Sequence, residues 1–147
     1  MRNCFPKRTL TSRSPAVANE SALKHILLVD DDAAFLSCFA DMLRLHDGNY
    51  TISTAENGEQ AAAIIKTIPV DLLITDLRMP VMGGLELVLR VAENRPDIPV
   101  IVMSASENPR AVQELGARVL YFEKPVIVDD LLSAIRRMLL VTGGPAH

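Results

Sequence analysis

Apolar residues in this chain fall into two alternating patterns. Short, nearly continuous runs occur at Ile26-Leu27-Leu28-Val29, Leu72-Leu73-Ile74, Val100-Ile101-Val102-Met103 and Val119-Leu120-Tyr121-Phe122, as expected of parallel strands covered on both faces. A fifth run, Tyr50-Thr51-Ile52-Ser53-Thr54, alternates apolar with polar and suits a sheet edge. Between the runs lie stripes at helical spacing: Leu36/Phe39/Ala40/Leu43, Ala61/Ile64/Ile65/Ile68, Leu85/Val88/Leu89/Ala92 and Val128/Leu131/Leu132/Ile135. Residues 107–116 read as one further short helix, with Pro109 in its first turn and Gly116 as its stop. Asn57 and Gln60 suit a helix N-cap, while Gly48-Asn49, Ile68-Pro69 and Arg95-Pro96 mark breaks.

Five strands, each followed by a helix, predict an α/β doubly wound parallel sheet in a three-layer sandwich, with the flavodoxin-like strand order 2-1-3-4-5. Ligands of such a sheet sit beyond the carboxyl ends of strands 1 and 3, where the winding reverses. Composition sharpens this picture in one respect. Residues 1–24 hold five basic side chains (Arg2, Lys7, Arg8, Arg13, Lys24) against Glu20, a net of +4. With −3 for the whole 147-residue chain, the rest carries −7. An acidic body argues against a phosphate-tracking nucleic-acid surface. Cys4 and Cys38 have neither a disulfide framework nor zinc spacing, which fits a reducing cytosol. No apolar run reaches the length of a membrane span, and the first residues reach Pro6, Lys7 and Arg8 without the apolar core expected of a secretory signal. The expected organisation is a disordered basic tail over 1–24, one domain over 25–141 and a short tail over 142–147.

Polar residues stand where the strands end: Asp30, Asp31 and Asp32 after strand 1, Asp76 at strand 3, Ser104 at strand 4, Lys124-Pro125 after strand 5. Core packing does not call for carboxylates there. Several carboxylates in one crevice repel one another unless a cation joins them, and hard oxygen ligands suit Mg²⁺ better than zinc. A lysine and a hydroxyl facing the same crevice suit the oxygens of a transferred phosphoryl group. The histidines offer no phosphodonor: His25 opens strand 1, His46 closes the first helix and His147 ends the chain.

The run from Ile26 to Asp31, the segment Asp71-Leu72-Leu73-Ile74-Thr75-Asp76-Leu77-Arg78-Met79-Pro80 with Gly83-Gly84-Leu85-Glu86, and Phe122-Glu123-Lys124-Pro125 resemble bacterial response-regulator receiver domains of the CheY-like kind, over about 24–141. The resemblance implies that Asp76 accepts a phosphoryl group from a histidine-kinase phosphohistidine, with Asp31, Asp76 and the backbone carbonyl of Arg78 as Mg²⁺ ligands (Mn²⁺ as a substitute) and Asp30 acting through metal-bound water. It implies that Lys124 pairs with the phosphoryl oxygens from a Lys124-Pro125 bond that is usually cis, that Ser104 is drawn to the new phosphate, and that Tyr121 is the aromatic switch. Ala105 would keep the approach narrow but open. The interval from Ser104 to Lys124 is short for the family, the shortfall falling on residues 107–115.

The implied protein is a cytoplasmic phosphoacceptor rather than an enzyme, self-catalysing its phosphorylation and dephosphorylation. Its partners would be a sensor histidine kinase or phosphotransfer protein and a downstream protein reached by docking or relay. Residues 142–147 are too few for a DNA-binding domain, which points to a stand-alone receiver, monomeric or weakly dimeric when phosphorylated. Local alternatives exist: Asp32 can simply cap the first helix, and Tyr121 can simply be core. Rival functions are a haloacid-dehalogenase-type phosphatase with Asp30 as nucleophile, a flavin-binding flavodoxin relative and a receiver-like scaffold that is not phosphorylated.

Overall fold

The structure, a computed structural model, describes residues 23–46, 50–79, 81–105, 114 and 118–143. Its elements run β1 (Lys24–Val29), α1 (Ala33–His46), β2 (Tyr50–Ala55), α2 (Gly58–Thr67), β3 (Leu72–Asp76), α3 (Gly84–Asn94), β4 (Val100–Ser104), β5 (Val119–Glu123) and α4 (Val128–Gly143). All strand pairs are parallel and the order is β2-β1-β3-β4-β5, as the alternation of patterns predicts. The expected tails over 1–24 and 142–147 lie outside the described residues except at their inner ends, where Lys24 opens β1 and α4 continues through Thr142 and Gly143; the helix over 107–116, apart from Glu114, and the Gly48-Asn49 break also lie outside them.

Two apolar layers flank the sheet. On one side Ile26, Leu28, Leu72 and Ile74 pack with Leu36, Phe39 and Leu43 of α1 and Leu131, Leu132 and Ile135 of α4. On the other, Leu27, Val29, Leu73 and Val102 pack with Ala61 and Ile65 of α2 and Leu87, Val88 and Val91 of α3. Adjacent residues of the central strands thus serve opposite cores, which is why their sequences read as unbroken apolar runs. β2 alternates because it lies at an edge. β5 forms the other edge and is only half-buried over Val119–Phe122, so its apolar run overstates its burial.

The α3 stripe is misphased in the sequence reading. Leu85, Leu89 and Ala92 are exposed, and Gly84, Leu87, Val88 and Val91 face the sheet instead. Both sets have helical spacing, so periodicity alone does not choose between them. Gly84 decides: a Cβ there would collide with the Asp76 carbonyl oxygen, so the helix is seated glycine-first against the end of β3. The Gly84 N–H also donates to the Leu77 carbonyl at 2.9 Å.

At α2 the expected cap is present, with the Gln60 N–H donating to Asn57 Oδ1 at 2.9 Å. Gln60 Oε1 accepts from the Glu56 N–H at 2.9 Å, closing the loop on itself. The Gly58 N–H donates to the Met82 carbonyl at 3.1 Å, which ties α2 to the loop between β3 and α3. Among the described residues no helix is long and apolar enough to cross a membrane.

Candidate functional site

Parallel register brings the polar residues to one edge. Val29 stands beside Thr75, Asp76 beside Met103 and Ser104 beside Glu123, so the residues just after β1 and β5 emerge level with the ends of β3 and β4. This edge is the crevice at which the winding reverses.

Asp30 is 2% exposed, an unusual setting for a carboxylate. Its backbone N–H donates to the Ala55 carbonyl at 3.1 Å, and its Oδ1 accepts from the Asp32 N–H at 3.0 Å. Burial pushes its carboxyl above the usual carboxylate range. The Asp32 N–H and the Lys124 ammonium oppose that rise, while the charge of Asp76 adds to it. Lys124 Nζ lies 3.4 Å from Asp30 Oδ2 and 3.3 Å from Asp76 Oδ2, so one ammonium bridges the two carboxylates. Burial would lower the lysine's pKa, but the fields of Asp30 and Asp76 and its hydrogen bonds to them outweigh burial and hold it above the ordinary range. The backbone N–H of Lys124 donates to the Ser104 carbonyl at 2.8 Å, and the Lys124-Pro125 bond is cis.

Asp76 Oδ1 accepts a long bond, 3.4 Å, from the Arg78 N–H, so the loop after β3 wraps the carboxylate with backbone. Asp31 is exposed beside the pair, and Asp30, Asp31 and Asp76 each offer an oxygen within 4.8 Å of the others. Asp32 performs the capping role: its Oδ1 accepts from the Phe35 N–H at 3.1 Å at the start of α1. Ser104 is 1% exposed, and its Oγ has no hydrogen-bond partner among the described residues. Tyr121 is half-buried against the core on the α2 and α3 side. Ala105 is exposed at the rim.

Lys124 reaches two carboxylates, Asp30 and Asp76, with Asp31 beside them, and like charges this close are tolerated poorly without added cationic charge. An all-carboxylate donor set with an exposed member fits a hard, hydrated divalent ion. The unpartnered Ser104 hydroxyl, costly where it lies, fits a site that receives an additional oxygen-bearing group.

Phe35, one turn before Phe39, is half-buried at the rim of the α1 stripe, and Lys124 Nζ sits 5.1 Å from its ring centroid. An aromatic pair at i, i+4, Phe35 and Phe39, soon after the acidic cluster is the signal that could have pointed to it.

The family described as response regulator receiver domain matches residues 26–136. Transcriptional regulatory protein GlrR of Escherichia coli is 39% identical over 113 residues, 76% of this chain and 25% of its own length. A response regulator receiver protein of Anaeromyxobacter is 37% identical over 112 residues, 75% of this chain and 46% of its own. The chain thus spans less than half the length of these curated relatives. Among solved structures, a CheY-like receiver domain protein from Methanospirillum hungatei superposes with a TM-score of 0.75 at 29% identity, covering 82% of this chain and 97% of that one. The response regulator TrrA of Thermotoga maritima, in complex with Mg²⁺-BeF, gives 0.70 at 28% identity over 78% of this chain and 98% of that one.

Proposed function

The chain belongs to the response regulator receiver domain family, and from that premise we propose that Asp76 accepts a phosphoryl group from the phosphohistidine of a sensor histidine kinase or phosphotransfer protein. The bond from phosphorus to the imidazole nitrogen breaks, a bond to an Asp76 carboxylate oxygen forms, and the imidazole leaves with the electron pair and takes a proton from solvent. The observation that carries this reading is the Lys124 ammonium set 3.3 Å from Asp76 Oδ2 and 3.4 Å from Asp30 Oδ2. A cation already placed at the acceptor oxygen neutralises charge as it moves onto the phosphoryl oxygens, without reorganisation at the moment of reaction.

Asp31, Asp76 and the Arg78 carbonyl would hold Mg²⁺, or Mn²⁺ in its place, and Asp30 would act through water in its shell. The ion, when bound, supplies the second positive charge that the transferred group requires. Asp30 is poorly suited to be the nucleophile of a haloacid-dehalogenase-type phosphatase, since it is buried, with one oxygen bonded to the Asp32 N–H and the other facing Lys124. Ser104 would turn its hydroxyl to the new phosphate, and Tyr121 would follow that movement on the α2 and α3 side. The output would be a protein–protein step in the cytosol, by docking or by onward transfer of the phosphoryl group.

Incubation with acetyl phosphate or a histidine kinase, with and without Mg²⁺, followed by intact mass measurement, tests this. Wild type with metal gains one labile phosphoryl group, and neither Asp76→Asn nor the metal-free protein does. Equal labelling of Asp76→Asn sinks the assignment of the acceptor.

A further inference from the structure

The Lys124 ammonium has two carboxylate partners, yet lysine is a compact point charge on a flexible four-carbon stem, and its side chain keeps 29% exposure here. Two bonds of 3.3 and 3.4 Å leave it room to swing out to water. The Phe35 ring stands against it, with its centroid 5.1 Å from Nζ, within reach of the ring quadrupole. Phe35 is itself fixed. Its N–H is bonded to Asp32 Oδ1 at 3.1 Å, and its ring meets that of Phe39 at 5.4 Å between centroids with a tilt of 35°. Phe39 is 6% exposed and anchored in the α1 core. The same rings, with Met42, Val126 and Leu131, line an apolar groove of about 700 Å³ that reaches Lys124, so this side of the ammonium borders apolar walls.

We propose that Phe35 is a positioning residue for phosphoryl transfer: its ring, braced on Phe39, holds the Lys124 ammonium at Asp30 and Asp76. The inference rests on the reading of Lys124 as the partner of the phosphoryl oxygens. A ring face suits the task better than another carboxylate, because it attracts the cation without accepting one of its hydrogen bonds. The three N–H groups stay free to turn from the carboxylates to an incoming phosphoryl group. An aliphatic side chain would fill the same space and leave the ammonium held by the two carboxylates alone.

The test compares wild type with Phe35→Leu, Phe35→Met and Phe35→Trp, each also in a Lys124→Met background. In metal-free protein carrying ¹³C-labelled lysine, the Lys124 Hε resonance is expected upfield from the ring current in wild type and Phe35→Trp. It should return to the ordinary position in the Leu and Met variants. With acetyl phosphate and Mg²⁺, Phe35→Leu and Phe35→Met are expected to be phosphorylated about three- to tenfold more slowly, and Phe35→Trp within about twofold of wild type. In the Lys124→Met background the same substitutions are expected to change the residual rate by less than about twofold. An unshifted Lys124 resonance in wild type overturns the inference, as does equal slowing by Phe35→Leu whether or not Lys124 is present. Absence of labelling in wild type would overturn the proposed function instead, while the lysine resonance still decides whether Phe35 holds the ammonium.

Discussion

At the scale of single residues, the two ends of β1 present opposite electrostatic problems. At the carboxyl end Asp30 is buried beside a cation. At the amino end His25 is half-buried, with its Nε2 and Ser53 Oγ joined at 2.6 Å and its backbone N–H donating to Asp71 Oδ2 at 2.8 Å. Burial lowers the His25 pKa below its ordinary value, and the nearby Asp71 carboxylate only partly opposes this. The folded protein therefore favours the neutral imidazole. Between the ordinary histidine value near 6.5 and the lower folded value, the unfolded chain binds a proton that the folded chain does not. Stability is full above that window and falls as pH drops through it. Urea titrations of metal-free protein at pH steps from about 7.5 to about 5 should show this decline, and His25→Gln should flatten it. A decline as steep in His25→Gln as in wild type contradicts the burial account, since the raised Asp30 carboxyl acts in the opposite sense in both proteins.

At the scale of elements, strand ends are legible in the sequence because parallel strands in register necessarily bring their carboxyl ends level. Asp30, Asp76, Ser104 and Lys124 can be grouped on that ground alone. The phase of α3 is not legible, since Leu85/Leu89/Ala92 and Leu87/Val88/Val91 both repeat at helical spacing and only the tight seat of Gly84 on Asp76 selects one. Nor is the conformation of Val81, a β-branched residue at φ 69°, where valine is rare. Phe35 shares the helical spacing of Phe39, but periodicity is silent about the charge that its ring also meets. The loop from Asp76 to Gly84 consequently holds two residues of opposite fit. Gly84→Ala should destabilise by roughly 2–4 kcal/mol, because the added methyl meets backbone that cannot yield cheaply. Val81→Gly should stabilise by about 1 kcal/mol, the relief of left-handed strain less the added freedom of the unfolded chain. Val81 is 74% exposed, so little packing is lost in that exchange. Chemical denaturation of both variants checks the pair, and two changes of the same sign would show that this loop is not seated as described.

At the scale of the whole molecule, the chain outside residues 1–24 carries −7 and gathers three of its carboxylates at one sheet edge. Such clustering works against folding, and a domain of this size has only about 5–15 kcal/mol of net stability to set against it. A divalent ion that binds the assembled carboxylates but not the separated ones of the unfolded chain converts this cost into linkage. At tenfold excess over the dissociation constant the gain is about 1.4 kcal/mol, which raises Tm by several degrees for a domain of about this length. Simple screening also relieves repulsion between carboxylates, so MgCl₂ must be compared with NaCl at equal ionic strength. The expected result is a saturable rise in Tm with MgCl₂, a smaller and unsaturated response to NaCl, and loss of the magnesium-specific part in Asp31→Asn. Asp31 is the informative position because it is exposed and has no core role, so its substitution removes a carboxylate of the cluster without opening a cavity. If matched MgCl₂ and NaCl act alike on wild type, the acidic cluster is only a screened patch of like charge, and the proposal that Asp76 is esterified with the help of a bound cation loses its electrostatic basis.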